Sequence, residues 1–418
     1  MTPPTAGAAL LGRNFVLLLT ATVLTCTNFA PLLSVLPLWS AQAGADTSGL
    51  GSITGTMMAA TVGVQTLMPW ILRRFGLRLV FAVGALLLGL PTLAYSVSAD
   101  LSWVLAVSVV RGAGFGMVVV SGSALVATLV TPARRGTAVG LYGMAVGIPH
   151  VLALPLGVWY AQHAGFHAVF VATGVLCAAA VPLLALMTSP VGIQHTYHPE
   201  TDTQVDAPEV PSWPVRVLAT PWIVMLACAS ATGGVTSFLA LAQPELAPAA
   251  LFLLYLGVVA GRWGGGVLTD RTAPGRLTLP GLTVACLGMG GLALAAGSEA
   301  HASVGVAVLT LAAATLYGTG FGVVQNDTLV VMFHRAGPAG TGSASTVWNL
   351  GYDAGVGAGA LVVGMVASGL GISGAFAVSA LAMGLITPLV WRDGRRDPPP
   401  RPPRQCSTHG PARPCPAR

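Results

Sequence analysis

Asp353 stands in the run VWNLGYDAGVGAGALVVG (347–364), where almost every neighbour is suited to hydrocarbon. An acid in such a place can take up and release a proton. Burial disfavours its charged form, a nearby guanidinium favours it, and intermittent access to water or to a cationic ligand switches between the two. Arg111 lies in a second apolar run and offers a fixed positive charge that can hold an anionic group or bias a neighbouring acid. His150 directly follows Pro149 and is of the residue type that changes charge near neutral pH. Arg262 lies in a third run, where it either pairs with Asp353 or directs its head to water. The stretch VVQNDTLV groups Gln325, Asn326 and Asp327, which can hydrogen-bond a polar ligand, and Asn28 and Gln65 are weaker candidates of the same kind. Each residue also has a plainer reading. Asp353 then locks two helices in an ion pair, Arg111 is satisfied by backbone carbonyls, and His150 is bonded across helices. In the same vein, Gln325 to Asp327 meet water at one end of a long helix.

Which reading holds depends on whether these runs cross a bilayer. The chain has 418 residues, 54% hydrophobic and 8% charged, with a mean hydropathy of +0.77, whereas a soluble domain carries roughly 25% charged residues. This excludes a soluble globular protein. Twelve apolar runs, each able to cross a hydrocarbon core of about 30 Å, lie at 14–39, 50–72, 79–97, 101–130, 136–160, 168–188, 216–241, 248–269, 277–297, 302–333, 342–366 and 371–391. The expected fold class is an all-α membrane protein. An ionised Asp near the bilayer centre costs at least about 2.5–3.5 kcal/mol, so intramembrane acids mark functional pathways by default. Asp353 lies roughly 18 Å along its helix from the near end, and Gly351, Gly355 and Gly359 form a small-residue ridge for close packing. Two residues from Gly351 and from Gly355, Asp353 is rotated about 200° from that ridge. It therefore points at lipid or at a cavity, and the energetic cost of lipid argues for the cavity.

All 19 basic residues are Arg. With the first run starting inside, the inward segments hold Arg13, Arg73, Arg74, Arg78, Arg134, Arg135, Arg216, Arg271, Arg276, Arg335 and the seven Arg from Arg392 onward. The outward loops hold none. This asymmetry predicts both termini in the cytoplasm, so the net charge of +6 reports orientation and calls for no nucleic-acid partner. The polar stretch 189–214 is expected to be a cytoplasmic linker between bundles at 1–188 and 215–392, and 393–418 a Pro- and Arg-rich cytoplasmic tail, extended or disordered. Four of the six Cys lie within apolar runs and two in the tail, so no disulfide framework is implied. The linker's HTYHPE and the tail's Cys and His lack a complete ligand set. No metal, cofactor or ATP-binding phosphate loop is expected.

The halves repeat. RGAGFGMVV (111–119) matches YGTGFGVVQ (317–325), and GFHAVF (165–170) matches GISGAF (371–376), both at an offset of 206 residues. Duplication of six helices in parallel is a common construction of secondary transporters. The second half carries GVLTDRTAPGR, with Gly266, Asp270, Arg271 and Arg276, and the first half PWILRRFGLR, with Arg74, Gly76 and Arg78 but Pro69 and Arg73 where Gly and Asp would stand. These segments, with the Pro- and Gly-containing GMAVGIPHVLALPLG, resemble the major facilitator superfamily, particularly its drug and sugar (arabinose-efflux-like) proton antiporter branch. The resemblance implies twelve transmembrane helices in two six-helix bundles in the bacterial inner membrane. It also implies that the two GxxxDRxGxR-like loops act in conformational gating, and that a monomer exports a small organic compound in exchange for protons. Alternatives are proton-coupled uptake of a sugar, organic acid or metallophore-like molecule, and a non-transporting receptor on the same fold. An enzyme is not expected, because no nucleophile, base or metal cluster lies within the apolar runs.

Overall fold

A computed structural model describes residues 12–130, 135–187, 216–269, 271–298 and 303–394. The linker expected at 189–214, Asp270 and the tail beyond Gly394 lie outside these residues. The described part is helical, with no strand, as a bilayer demands: hydrocarbon supplies no partner for a free N–H or C=O, so each segment closes its own hydrogen bonds. The N-terminal half contains α1 (Arg13–Gln42), α2 (Thr47–Phe75), α3 (Leu77–Gly89, continued as a 3-10 turn over Leu90–Ser96) and α4 (Leu101–Leu129). It continues with α5 (Arg135–Ala164), α6 (Phe166–Ala178) and the short α7 (Ala180–Ala185). The C-terminal half contains α8 (Arg216–Ala242), α9 (Ala247–Thr269), α10 (Thr278–Ala296), the long α11 (Val304–Leu385) and α12 (Thr387–Gly394).

The run α11 is helical throughout except at Gly337 (φ 72°) and Gly371 (φ 71°). Only a residue without Cβ adopts such backbone cheaply, so these glycines divide it into α11a before Gly337, α11b between the two and α11c after Gly371. Gly165, at φ 88°, makes the corresponding break between α5 and α6. It is the repeat mate of Gly371, so the sequence match GFHAVF/GISGAF records a shared chain break.

Ten helices among the described residues are long and apolar enough to cross a membrane; the last, Ala344–Gly394, contains the break at Gly371. The 29-residue α2 falls outside that set because it is punctuated by polar side chains, and those side chains have partners. Thr61 Oγ1 donates to Gly112 O at 2.9 Å, Thr54 and Ser237 hydroxyls meet at 3.2 Å, and Gln65 reaches Asp353. Two of these three partners belong to the other half, so the polar residues of α2 mark the seam between the halves. Away from the seam, buried hydroxyls turn inward on their own helix, as Thr22 does to Leu18 O at 2.9 Å and Thr232 to Cys228 O at 3.0 Å.

Candidate functional site

The two faces of α11b explain where Asp353 goes. One face is the expected glycine ridge, and its partner is α8: a Cβ at Gly351 would lie 2.6 Å from Trp222 Nε1, one at Gly355 2.7 Å from Ala229 Cβ, and one at Gly359 would run into Ser230 O. The opposite face carries Asp353, Gly357, Ala360 and Gly364, spaced three or four apart, and packs on α2. Gly357 meets Met58, Ala360 O meets Gly51, and a Cβ at Gly364 would lie 2.5 Å from Thr47 O. Asp353 is thus buried in the joint between the halves, 8% exposed. Its Oδ2 accepts from Gln65 Nε2 at 2.9 Å. The pairing with Arg262 entertained from the sequence does not form: among the described residues the one ion pair joins Arg335 to Asp393 at 2.8 Å, tying α11a to α12.

Beside Asp353 the structure assembles aromatic rings whose relation the sequence does not reveal. Tyr352 lies between Phe321 and Trp348, with centroids at 6.4 and 6.2 Å and planes within 12°. Tyr317 continues the stack on the far side of Phe321 at 6.0 Å, and Trp348 Nε1 is anchored on Thr328 Oγ1 at 3.1 Å. A second row crosses between the halves. Phe115 stacks on Phe29 at 3.9 Å, Phe29 faces His150 at 5.9 Å, and His150 faces Tyr255 of α9 at 5.3 Å. His150 Nδ1 lies 3.0 Å from Val146 O, within its own helix, so His150 stands at the seam as a packed ring with its Nδ1 already engaged. Arg262 follows Tyr255 by seven residues, which returns it to within about 20° of the same face of α9. It is not covered by protein.

Arg111 has a different environment. It is fully buried: Nη2 donates to Asn28 Oδ1 at 2.9 Å, Nε to Leu88 O at 3.2 Å and Nη1 to Tyr95 Oη at 3.3 Å. The guanidinium also lies over the Tyr95 ring at 5.4 Å. Asn28 is held in turn by Thr92, to whose Oγ1 it donates at 3.0 Å, and Tyr95 by Ser108 at 2.8 Å. All these acceptors are neutral and lie within the N-terminal half. The repeat mate of Arg111 is Tyr317, whose hydroxyl donates to Cys228 O at 2.8 Å and meets Thr232 Oγ1 at 2.7 Å. Each half therefore ties its fourth crossing to its first through a long polar side chain, a cation in one half and a phenol in the other.

The polar run of α11a divides similarly. Asp327, expected among the substrate-binding residues, accepts from Gly275 N and Leu277 N, both at 3.1 Å, and from Thr278 Oγ1 at 2.6 Å. Its oxygens are committed to the loop that leads into α10, where they pair backbone N–H groups just ahead of the helix and the hydroxyl of its first residue. Gln325 is buried. Asn326 faces Gly265 and Gly266 of α9, and its Nδ2 is buried without a partner among the described residues. Of the expected gating residues, Arg74 lies over the Phe75 ring at 5.9 Å, Gly76 turns the chain at φ 75°, and Arg78 Nη1 donates to Met187 O at 2.9 Å. Arg271 is exposed, its N–H donating to Leu268 O at 3.1 Å. No cluster of metal-ligating side chains occurs among the described residues; the linker and tail His and Cys lie outside them.

Sequence reasoning missed Tyr352, Phe321, Trp348, Tyr255 and Phe29. The available signals were the adjacency of Tyr352 to Asp353, the position of Trp348 one turn earlier, and the offset that equates Tyr317 with Arg111.

This architecture has solved relatives. A bacterial homologue of the human lysosomal transporter Spinster, in an inward-facing unoccupied conformation, superposes with a TM-score of 0.70 at 14% identity, covering 92% of this chain and 98% of that one. The nucleoside transporter NupG gives 0.70 at 12% identity over 91% and 98%. A POT family transporter in complex with a thioalcohol-conjugated peptide gives 0.73 at 14% identity over 92% and 96%. Identities this low establish the fold and leave the substrate open. No curated relative matches by sequence. The Major Facilitator Superfamily model, however, matches residues 18–359, most of the chain, and with the two-half helical architecture it makes this protein a member of the Major Facilitator Superfamily.

Proposed function

We propose that the protein is a proton-coupled secondary transporter of a small organic compound. Twelve segments cross the cytoplasmic membrane with both termini inside, and the halves rock about the seam between α2 and α11b on one side and α5 and α9 on the other. Asp353 is the proton carrier, and export in exchange for protons, carried over from the family resemblance, is the first reading. The observation that carries the proposal is the Gln65–Asp353 hydrogen bond: among the described residues, a carboxylate in the apolar interior is held by a single neutral donor belonging to the opposite half. When the halves part there, the acid loses that donor and meets water, and when they close it is desolvated again. Proton occupancy and conformation are thereby linked through one atom pair. Arg111, engaged within its own half, serves as an internal tie and does not take part in this exchange.

One observation favours a second reading, uptake together with protons. Arg262 faces the seam with no carboxylate partner among the described residues, so an anion held there and a proton held on Asp353 neutralise one another and load together. Both readings are tested in proteoliposomes carrying an imposed pH gradient, with a panel of organic anions, cations and neutral compounds. A compound that moves protons through the wild type is expected to move none through Asp353→Asn, and the sign of proton movement separates exchange from co-transport. Proton flux unchanged in the variant would remove Asp353 from the mechanism.

A further inference from the structure

We infer that the inner end of α2 is a docking surface for an anionic phospholipid of the surrounding bilayer, whose chains lie along Gly63, Leu67 and Trp70 and whose phosphate is held by Arg73 and Arg74. This surface is on the outside of the N-terminal half, so the inference stands apart from the reading of Asp353 as a proton carrier.

The argument begins with one face of a helix. Gly63, Leu67, Trp70 and Arg74 follow one another at spacings of four, three and four residues, which places them on a single stripe of α2. All four are exposed. Leu67 is 56% and Trp70 61% accessible, and a Cβ at Gly63 would have nothing within 4 Å. The helices that pack on α2 lie behind this stripe. Thr61, which bonds Gly112 O of α4, and Gln65, which bonds Asp353 of α11b, are rotated about 140–180° from Trp70. The stripe therefore looks away from both neighbours, and for a chain that spans a bilayer the solvent on that side is lipid.

Its length and polarity fit one lipid. Gly63 to Arg74 is roughly 16 Å at 1.5 Å per residue, about half of a 30 Å hydrocarbon core, so the stripe is as deep as one leaflet. It changes character along that depth as a phospholipid does. Apolar at Gly63 and Leu67, it passes Trp70, a residue type that gathers at the membrane boundary, and ends on Arg74, with the exposed Arg73 beside it in the last turn of α2. Phe75 meets Trp70 edge-on at 6.4 Å and carries the Arg74 guanidinium over its ring at 5.9 Å. A guanidinium placed on a ring keeps its N–H edge for phosphate oxygens.

The sign of the headgroup follows from the charges. Residues 47–99 contain three Arg and no acid, and the one ion pair among the described residues joins Arg335 to Asp393, in the other half. The ammonium of a zwitterionic lipid finds no counter-charge on this surface, whereas a headgroup of net negative charge is attracted by both Arg73 and Arg74.

The test is native mass spectrometry of the full-length protein extracted from nanodiscs holding phosphatidylcholine, phosphatidylethanolamine and phosphatidylglycerol in equal parts. The wild type is expected to retain phosphatidylglycerol in preference to the other two. Arg73→Gln with Arg74→Gln is expected to lower that preference about thirtyfold, about fivefold for each basic residue lost beside an anionic headgroup, while the melting temperature in pure phosphatidylcholine stays at the wild-type value. Arg73→Lys with Arg74→Lys keeps both charges and is expected to keep most of the preference. Arg271 is an exposed Arg of the other half, so Arg271→Gln is expected to leave the preference unchanged. Added inorganic phosphate is expected not to displace the lipid, because it lacks the chains that the stripe holds. A preference that survives the double Gln variant, an equal loss in Arg271→Gln, displacement by inorganic phosphate, or no preference in the wild type would overturn the assignment.

Discussion

The Gln65–Asp353 contact permits a quantitative test that needs no substrate. Replacing Gln65 by Leu keeps the side chain's bulk and removes the donor that Asp353 accepts from at 2.9 Å. A hydrogen bond to a charged group contributes about 1.5–3 kcal/mol in water-soluble proteins, whereas hydrogen bonds between membrane helices average only about 0.6 kcal/mol and reach about 1.7. Asp353 is 8% exposed, so little water replaces the lost donor, and a coupling energy of about 1–1.5 kcal/mol is expected, near the top of the membrane range. The assay is a double-mutant cycle of wild type, Gln65→Leu, Asp353→Leu and the double variant, unfolded in mixed micelles at neutral pH. The cycle cancels the packing effects common to both backgrounds. A coupling within about 0.3 kcal/mol of zero, the limit within which independent sites add, would mean that the two side chains do not interact across the seam, and the linkage of proton to conformation would fail with it.

Two further outcomes test the packing that positions the site. Gly359→Ala forces a Cβ into Ser230 O on α8, backbone that cannot yield as a side-chain tip does, and is expected to destabilise by about 1–3 kcal/mol; Gly369→Ala, with open space around it, should lie near zero in the same melting assay. Asn28→Leu removes the 2.9 Å acceptor of a fully buried guanidinium and is expected to cost about 3 kcal/mol or more, since the charge is left partly unpaired. Asn28→Leu combined with Arg111→Leu should recover part of the loss, and a double variant worse than the sum of the singles would refute the assignment of Arg111 as an internal tie.

Composition alone determined that this chain lives in a bilayer, because 8% charged residues cannot cover a soluble surface and long apolar runs have no other solvent. The repeat offset announced two related halves, and its second match proved to be the paired breaks at Gly165 and Gly371. The ridge Gly351, Gly355 and Gly359 was legible because helical periodicity is a local property, and so was the turning of Asp353 away from it. Partners were not legible. Asp353 and Gln65 are 288 residues apart, and nothing in either neighbourhood encodes that α11b lies on α2. Asp327 read as a ligand-binding acid until the loop at Gly275 claimed its oxygens. Arg111 and Arg262 looked alike as isolated cations in apolar runs, yet one is enclosed by neutral acceptors and the other faces the seam. Side-chain type sets which interactions are available. Which of them is made, and therefore which charge is left for a ligand, depends on contacts between helices far apart in the chain, and only the folded arrangement supplies those.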